Sequence, residues 1–313
     1  MFEALEAAVN SQSTLAWAPL LTLLLLLAAQ PWRAYMPDGT LAELLGQILI
    51  VLVVLALLVD GIAGSPWFWF VLTAALLLWI SAAYFIADNH HYLIAYWCLA
   101  VGLALFGGPE GTRILRQSGA LLIGLCFATA VASKLLNARY RDGSFFTWTL
   151  LSDPRFVPLA TFIGGLKSDV RERHLVAMDR VRSGVSQHEV VVVPRDLRRL
   201  AMGLTWWTIG IETLVATVFL SPVNLELTRV VLLVVFAVTT FVFVAVPVFG
   251  QILLLILLAC TDDVTIRVYI AVLALGLAVV SFIPNLAKRL TPLVHQSLVA
   301  QRRPTANGSV VLP

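Results

Sequence analysis

Long uninterrupted apolar runs, separated by short polar turns, dominate this chain. They fall at about residues 14–30, 41–59, 66–87, 91–107, 118–136, 200–221 and 229–285. A helix needs roughly 20 residues to cross the hydrocarbon core of a bilayer. The first run, LAWAPLLTLLLLLAAQ, is slightly short of that and the next five are close to it. None alternates with a period of two, which excludes a barrel and selects helices. The connections MPDGT, GIAGSP and FGGPEG carry turn chemistry. Residues 228–260 form a 33-residue run interrupted by Pro247 and Gly250. That pattern predicts two short helices joined near there, then a third from about 264 to 285. The expected architecture is therefore all-α: a polytopic transmembrane bundle of about nine helices, with seven or eight also compatible.

The polar stretches divide the chain further. Residues 1–136 hold the first five spans, 137–199 a polar insertion, 200–288 the C-terminal spans, and 289–313 a polar tail expected to be disordered. Residues 137–200 hold 11 Lys plus Arg against 7 Asp plus Glu. The early part, SFFTWTLLSDPRFVPLATFIGGL, is aromatic-rich and broken by Pro154 and Pro158, so it reads as interfacial helices on the membrane surface. The later part, SGVSQHEVVVVPRD, predicts a small hairpin ending in a valine-rich strand.

Composition fits this pattern. The chain is 60% hydrophobic and 12% charged, with a mean hydropathy of +0.91. Soluble domains run near 45–50% apolar and about 25% charged. A bilayer accepts such a chain if the backbone satisfies its own hydrogen bonds. The expected location is a cell membrane, plasma or bacterial inner. The net charge of +3 is too small to argue for nucleic acid. MFEALEAAVNSQST lacks a basic n-region, so the first apolar run is expected to be a retained helix. Cys98, Cys126 and Cys260 lie inside apolar runs without pairing logic and read as small buried residues. The basic insertion is expected on the cytoplasmic side, and Lys288, Arg289, Arg302 and Arg303 agree if there are nine spans. The N-terminus would then lie outside.

Ionisable residues within spans are costly and are functional-site candidates by default. Lys134 ends the fifth run, Glu212 lies within the sixth, and His90 and His91 open the fourth, with Asp60 and Asp88 at run ends. The fourth run leaves the membrane face that carries His90, and the fifth returns Lys134 to it. The sixth starts on that face, placing Glu212 on the order of 18 Å along the helix, at ~1.5 Å per residue. A His, a Lys and a Glu from three successive helices could thus line one cavity. Plainer roles exist. Lys134 could snorkel to headgroups, His90 could cap its helix with Asp88 and Asn89, and Glu212 could bond a neighbouring helix as a protonated carboxyl. The His pair lacks an HxxxH or HxxE partner set, so no metal is expected.

DNHHYLIAYW resembles the Asn-His-x-Tyr-Leu stretch of vitamin K-dependent gamma-glutamyl carboxylase, shared by bacterial proteins of the horizontally transferred transmembrane domain family. VASKLLNARYRDGSFF resembles that family's Lys-Leu-x-x-x-W-x-x-G element, and SDPRF a short motif after it. The motifs occur in family order, a glutamate in the next helix also recurs, and the resemblance covers about residues 14–285. It implies that Lys134 is the catalytic base and His90 its partner. Asn89, Tyr92 and Leu93 fill flanking motif positions, and Asn89, His91, Tyr92 and Glu212 would contact the cofactor. That cofactor would be a reduced isoprenoid quinone, vitamin K hydroquinone or menaquinol. Desolvation favours the uncharged form of an amine, and an uncharged Lys134 could take a hydroquinone proton. The hydroquinonate reacts with O2. In the carboxylase the resulting alkoxide strips a glutamate γ-proton and CO2 adds. His90 would bond the quinol oxygen or the developing oxyanion.

The chain departs from the family in carrying Tyr140 where Trp is usual and Asn137 at an acidic position. It ends soon after its last apolar run, where the carboxylase has a large extramembrane portion that binds a propeptide, so protein carboxylation is not expected. The family's site is extracytoplasmic, opposite to the face given by the charge rule. Three functions compete. The first is a quinol-dependent oxygenase- or carboxylase-like enzyme, its partners the bilayer, the lipid quinol and a peptide or protein substrate. The second is a non-enzymatic accessory factor for maturation or export of a secreted peptide. The third, a transporter, ranks last because the interruption at Pro247 and Gly250 has no counterpart in the first half.

Overall fold

The computed structural model describes residues 14–29, 40–85, 87–183, 193–223, 225–243, 247–274 and 276. Among them every regular element is helical, and no strand occurs. The helices are α1 (Thr14–Ala29), α2 (Leu41–Leu58), α3 (Pro66–Ala82), α4 (Asn89–Phe106), α5 (Gly111–Leu136), α6 (Ala138–Arg141), α7 (Ser144–Ser152), α8 (Val157–Phe162), α9 (Ser168–Arg182), α10 (Arg195–Leu220), α11 (Glu226–Phe243) and α12 (Pro247–Cys260), then α13 (Val264–Ala274). Two 3₁₀ turns, Gly108–Glu110 and Pro154–Phe156, lead into α5 and α8. Among the described residues, three helices are long and apolar enough to cross a membrane: Leu41–Leu58, Gly108–Leu136 with its 3₁₀ lead, and Arg195–Leu220.

The helix starts follow local chemistry. Thr40 caps α2 by accepting from the Glu43 N–H. Pro66 opens α3 and Pro247 opens α12, positions where a missing N–H costs nothing. Asp88 caps α4, and Asn137 caps α6 by accepting from the Arg139 N–H. Between α6 and α7 the chain turns at Gly143, whose φ of +77° and closeness to Met202 leave no room for a side chain.

Two apolar cores result. The larger joins α1–α5, the C-terminal half of α10, and α11–α13, with Trp69, Trp79, Trp97 and Phe127 fully buried. The smaller gathers Leu150, Leu151, Phe156, Ala160 and Leu166 of the insertion around Leu197, Ala201 and Leu204 of α10. Interior hydroxyls are satisfied within their own helices: Thr22, Thr73 and Thr205 each donate to the carbonyl four residues back, as an apolar setting demands. Outside, α2 shows an exposed stripe of Leu41, Leu44, Ile48, Val51, Leu55 and Leu58. A helical face this apolar fits lipid better than water.

Hydropathy located the runs but misplaced some ends. α5 begins at Gly111, not near 118, and α10 at Arg195, not 200. Their first turns are polar and are held by pairs outside the apolar run. Arg113 bonds Glu110 at 2.7 Å, and Arg116 bonds Asp262 beyond α12. The expected break near Pro247 and Gly250 falls before Pro247, and Gly250 lies inside α12. The predicted hairpin falls largely on residues 184–192, outside the described residues, as do the end of the last expected helix and the tail 289–313.

Candidate functional site

A cavity of about 520 Å³ opens where the start of α4, the end of α5, the middle of α10 and the insertion meet. α4 contributes Asp88, Asn89 and His90; α5 contributes Cys126, Ala130 and Lys134. α10 contributes Leu204, Trp207, Thr208, Ile211 and Glu212. Helical spacing explains both sets. Positions i, i+4, i+8 on α5, and i, i+3, i+4, i+7, i+8 on α10, each lie on one face. The insertion closes one side with Phe145, Phe146, Thr149 and Arg155, and Phe127, Phe236 and Phe249 supply apolar wall.

Lys134 and Glu212 form the polar centre. The Lys134 Nζ donates to both oxygens of Glu212, at 2.7 and 2.5 Å. Glu212 is buried at 8% side-chain exposure, Lys134 at 19%. Lys134 stands in the last turn of α5, so Glu212 is level with that helix end. The first third of α10 belongs to the smaller core instead. Neither plain snorkelling nor a lone protonated carboxyl describes this arrangement, because the two groups answer each other.

Tyr140 lies beneath the amine, its ring centroid 5.6 Å from Lys134 Nζ. A cation–π contact needs an aromatic face and is strongest for Trp, with Tyr next. Burial pushes the Tyr140 phenol up, so it stays protonated at neutral pH.

The His pair divides its duties. Asp88 caps α4 by accepting from the His90 N–H at 3.2 Å, and its own N–H donates to His91 Nδ1 at 3.1 Å. His91 is buried, tilted against Trp79 with centroids 4.9 Å apart. His90 stacks on His91 at 4.3 Å, and its Nδ1 lies 2.5 Å from Asp88 Oδ1. A carboxylate holding Nδ1–H fixes the tautomer and leaves Nε2 with a lone pair. Asn89, His90, Lys134 and Glu212 thus share the cavity. His91 and Tyr92, expected to touch a cofactor, do not line it: His91 belongs to the cap and Tyr92 is 40% exposed.

Asp88, His90 and His91 bring three potential ligand atoms within 4.8 Å of one another. Helix capping accounts for the cluster. Asp88 Oδ1 serves the α4 backbone and the His90 imidazole and lies 2.8 Å from His91 Nδ1, which accepts the Asp88 N–H when unprotonated and donates to Oδ1 when protonated. Burial pushes the Asp88 carboxyl up, but the two histidine hydrogen bonds and their charge outweigh it and hold it well below its ordinary 3.8. A depressed carboxylate contributes stability that is full above the unfolded value and fades as pH falls through the folded one. Thermal melts in detergent are therefore expected to show stability lost below pH 3.8 in the wild type. Asp88→Asn should begin about 1 kcal/mol lower at pH 7 and lack that acid-side loss. Parallel pH curves for the two proteins would contradict this account of the cap.

Of the remaining lining residues, the sequence marked Cys126 only as a small buried residue and Arg155 only as part of SDPRF. Arg155 of SDPRF is bonded by Asp153 at 2.6 Å, and Asp153 caps the 3₁₀ turn that places it. Cys126 is only partly buried and faces the cavity, whereas Cys98 and Cys260 are buried as expected. The i, i+4, i+8 spacing back from Lys134 was the signal that could have found Cys126. Comparison with protein-family models, curated proteins and solved structures finds no match to this chain.

Proposed function

We propose that this chain is a multi-pass membrane protein of about nine spans that binds a lipid hydroquinone and removes its hydroxyl proton at the Lys134–Glu212 pair, with His90 assisting. The observation that carries the reading is the meeting of Lys134, Glu212 and His90 in one cavity with aromatic walls. Its volume of about 520 Å³ is in the range of small-molecule sites, roughly 300–1,000 Å³. A hydroquinone headgroup needs an apolar slot for its ring and polar partners for its hydroxyls. Phe127, Phe145, Phe146 and Trp207 supply the slot, and His90 and Lys134 supply the partners. An isoprenoid tail would stay in lipid. The ordered motifs shared with the horizontally transferred transmembrane domain family support the same reading, with menaquinol or vitamin K hydroquinone as cofactor and O2 as oxidant.

Binding tests it directly. Menaquinol held under nitrogen is expected to bind the detergent-solubilised protein saturably. Ala130→Trp, which fills the cavity from α5 and leaves both members of the pair in the sequence, should weaken binding at least about tenfold, a loss of ~1.4 kcal/mol. Equal binding by both proteins would place the quinol elsewhere and remove the reading. One observation favours the accessory-factor alternative: the Lys134–Glu212 pair also ties α5 to α10, a structural duty that needs no ligand.

A further inference from the structure

We infer that Glu212, acting through Lys134, is the group that holds the proton taken from the quinol. The inference rests on the quinol reading above and follows from counting protons in the observed pair. Lys134 Nζ gives hydrogen bonds to both Glu212 oxygens, which leaves its third N–H position for the cavity. The pair carries one shared proton, as ammonium and carboxylate. When a quinol O–H bond breaks, a second proton enters the pair. An ammonium has no room for it, so the step ends with Lys134 as ammonium and Glu212 as carboxylic acid. No electrons move in this step. The proton passes from the quinol oxygen to Nζ, and an Nζ proton passes to a Glu212 oxygen. The ammonium exchanges one anionic partner for another, the carboxylate for the quinolate.

Burial gives this exchange its force. Glu212 is 8% exposed, and in low-dielectric surroundings a cation must keep an anion beside it. Deprotonating the quinol by this route separates no net charge: a contact ion pair is replaced by another contact ion pair. A lone lysine would instead begin without a counter-ion. The titratable and charged groups that share the cavity with the pair are His90 and its cap Asp88, Arg155 of the insertion and Cys126 of α5, with the Tyr140 ring against the amine. Glu212 is thus a positioning and proton-holding residue, while Lys134 touches the substrate.

The test is infrared difference spectroscopy on the solubilised full chain, adding menaquinol under nitrogen. The expected result is a new C=O stretch of a protonated carboxylic acid on binding, shifted in D2O, displaced in Glu212→Asp and missing in Glu212→Gln. A purely structural glutamate would stay ionised, and no such band would appear. Menaquinol binding without the band, or a band unchanged in both variants, overturns the inference while leaving the quinol reading standing. Absence of menaquinol binding overturns both. Glu212→Asp keeps a carboxyl in place, so the assignment survives even if Glu212→Gln does not fold.

Discussion

Lys134→Met is expected to unfold far more easily than the wild type, by about 3–5 kcal/mol, because it leaves the Glu212 carboxylate buried without its cation. The penalty comes from the abandoned charge, not from the lost amine. The double variant Lys134→Met/Glu212→Leu should therefore recover most of the stability, since an ion pair replaced by apolar groups of similar volume is often neutral. The difference between the summed single effects and the double effect is the coupling energy of the pair, and contacting residues couple by about 0.5–3 kcal/mol or more when buried and charged. Thermal melts of the four proteins in one detergent measure it. Additive effects would mean that the two side chains do not share the contact described. The double variant has a second use. It should fold yet lose quinol chemistry by about 10²–10⁴, the usual worth of a positioned acid–base group, which separates folding from function.

The histidine pair offers the second large effect. His90→Ala should cut quinol turnover by about 10²–10⁴ with a stability change within about 0.5–1 kcal/mol, as for a partly exposed position. His91→Ala should do the reverse. It removes a buried ring from Trp79 and breaks the cap of α4, costing about 1–3 kcal/mol, while turnover stays within roughly tenfold. Adjacent identical residues make this a demanding comparison. If His91→Ala abolished turnover and His90→Ala did not, the orientation of the pair described above would be wrong.

Much of this was legible in the sequence because hydropathy and connectivity are strong signals. The apolar runs became helices, and the up-and-down path put His90 and Lys134 at one end of the bundle, as the order of runs requires. Glu212 was picked out because a carboxylate in an apolar run has few tolerable explanations. What the start of its helix packs against was not legible. The run beginning near residue 200 gives no hint that α10 starts five residues earlier and spends Leu197, Ala201 and Leu204 on the smaller core. That is a tertiary fact, fixed by Leu150, Leu151 and Phe156 packing against it. The division of labour between His90 and His91 was equally hidden, since a motif places both at the helix start but only the turn at Asp88 decides which ring goes under Trp79. Arg155 shows the opposite case. SDPRF contained its own geometry, a capping Asp, a Pro at the first turn and an Arg two residues on, and the cavity revealed what that geometry serves.

The pair, the histidine and the cavity stand or fall together on oxygen consumption. Purified wild-type protein given menaquinol in air is expected to consume O2 saturably and well above the rate of menaquinol alone, while the folded Lys134→Met/Glu212→Leu protein consumes it no faster than that blank. Wild-type consumption equal to the blank, or equal to that of the double variant, would leave the Lys134–Glu212 contact as a tie between two helices and nothing more.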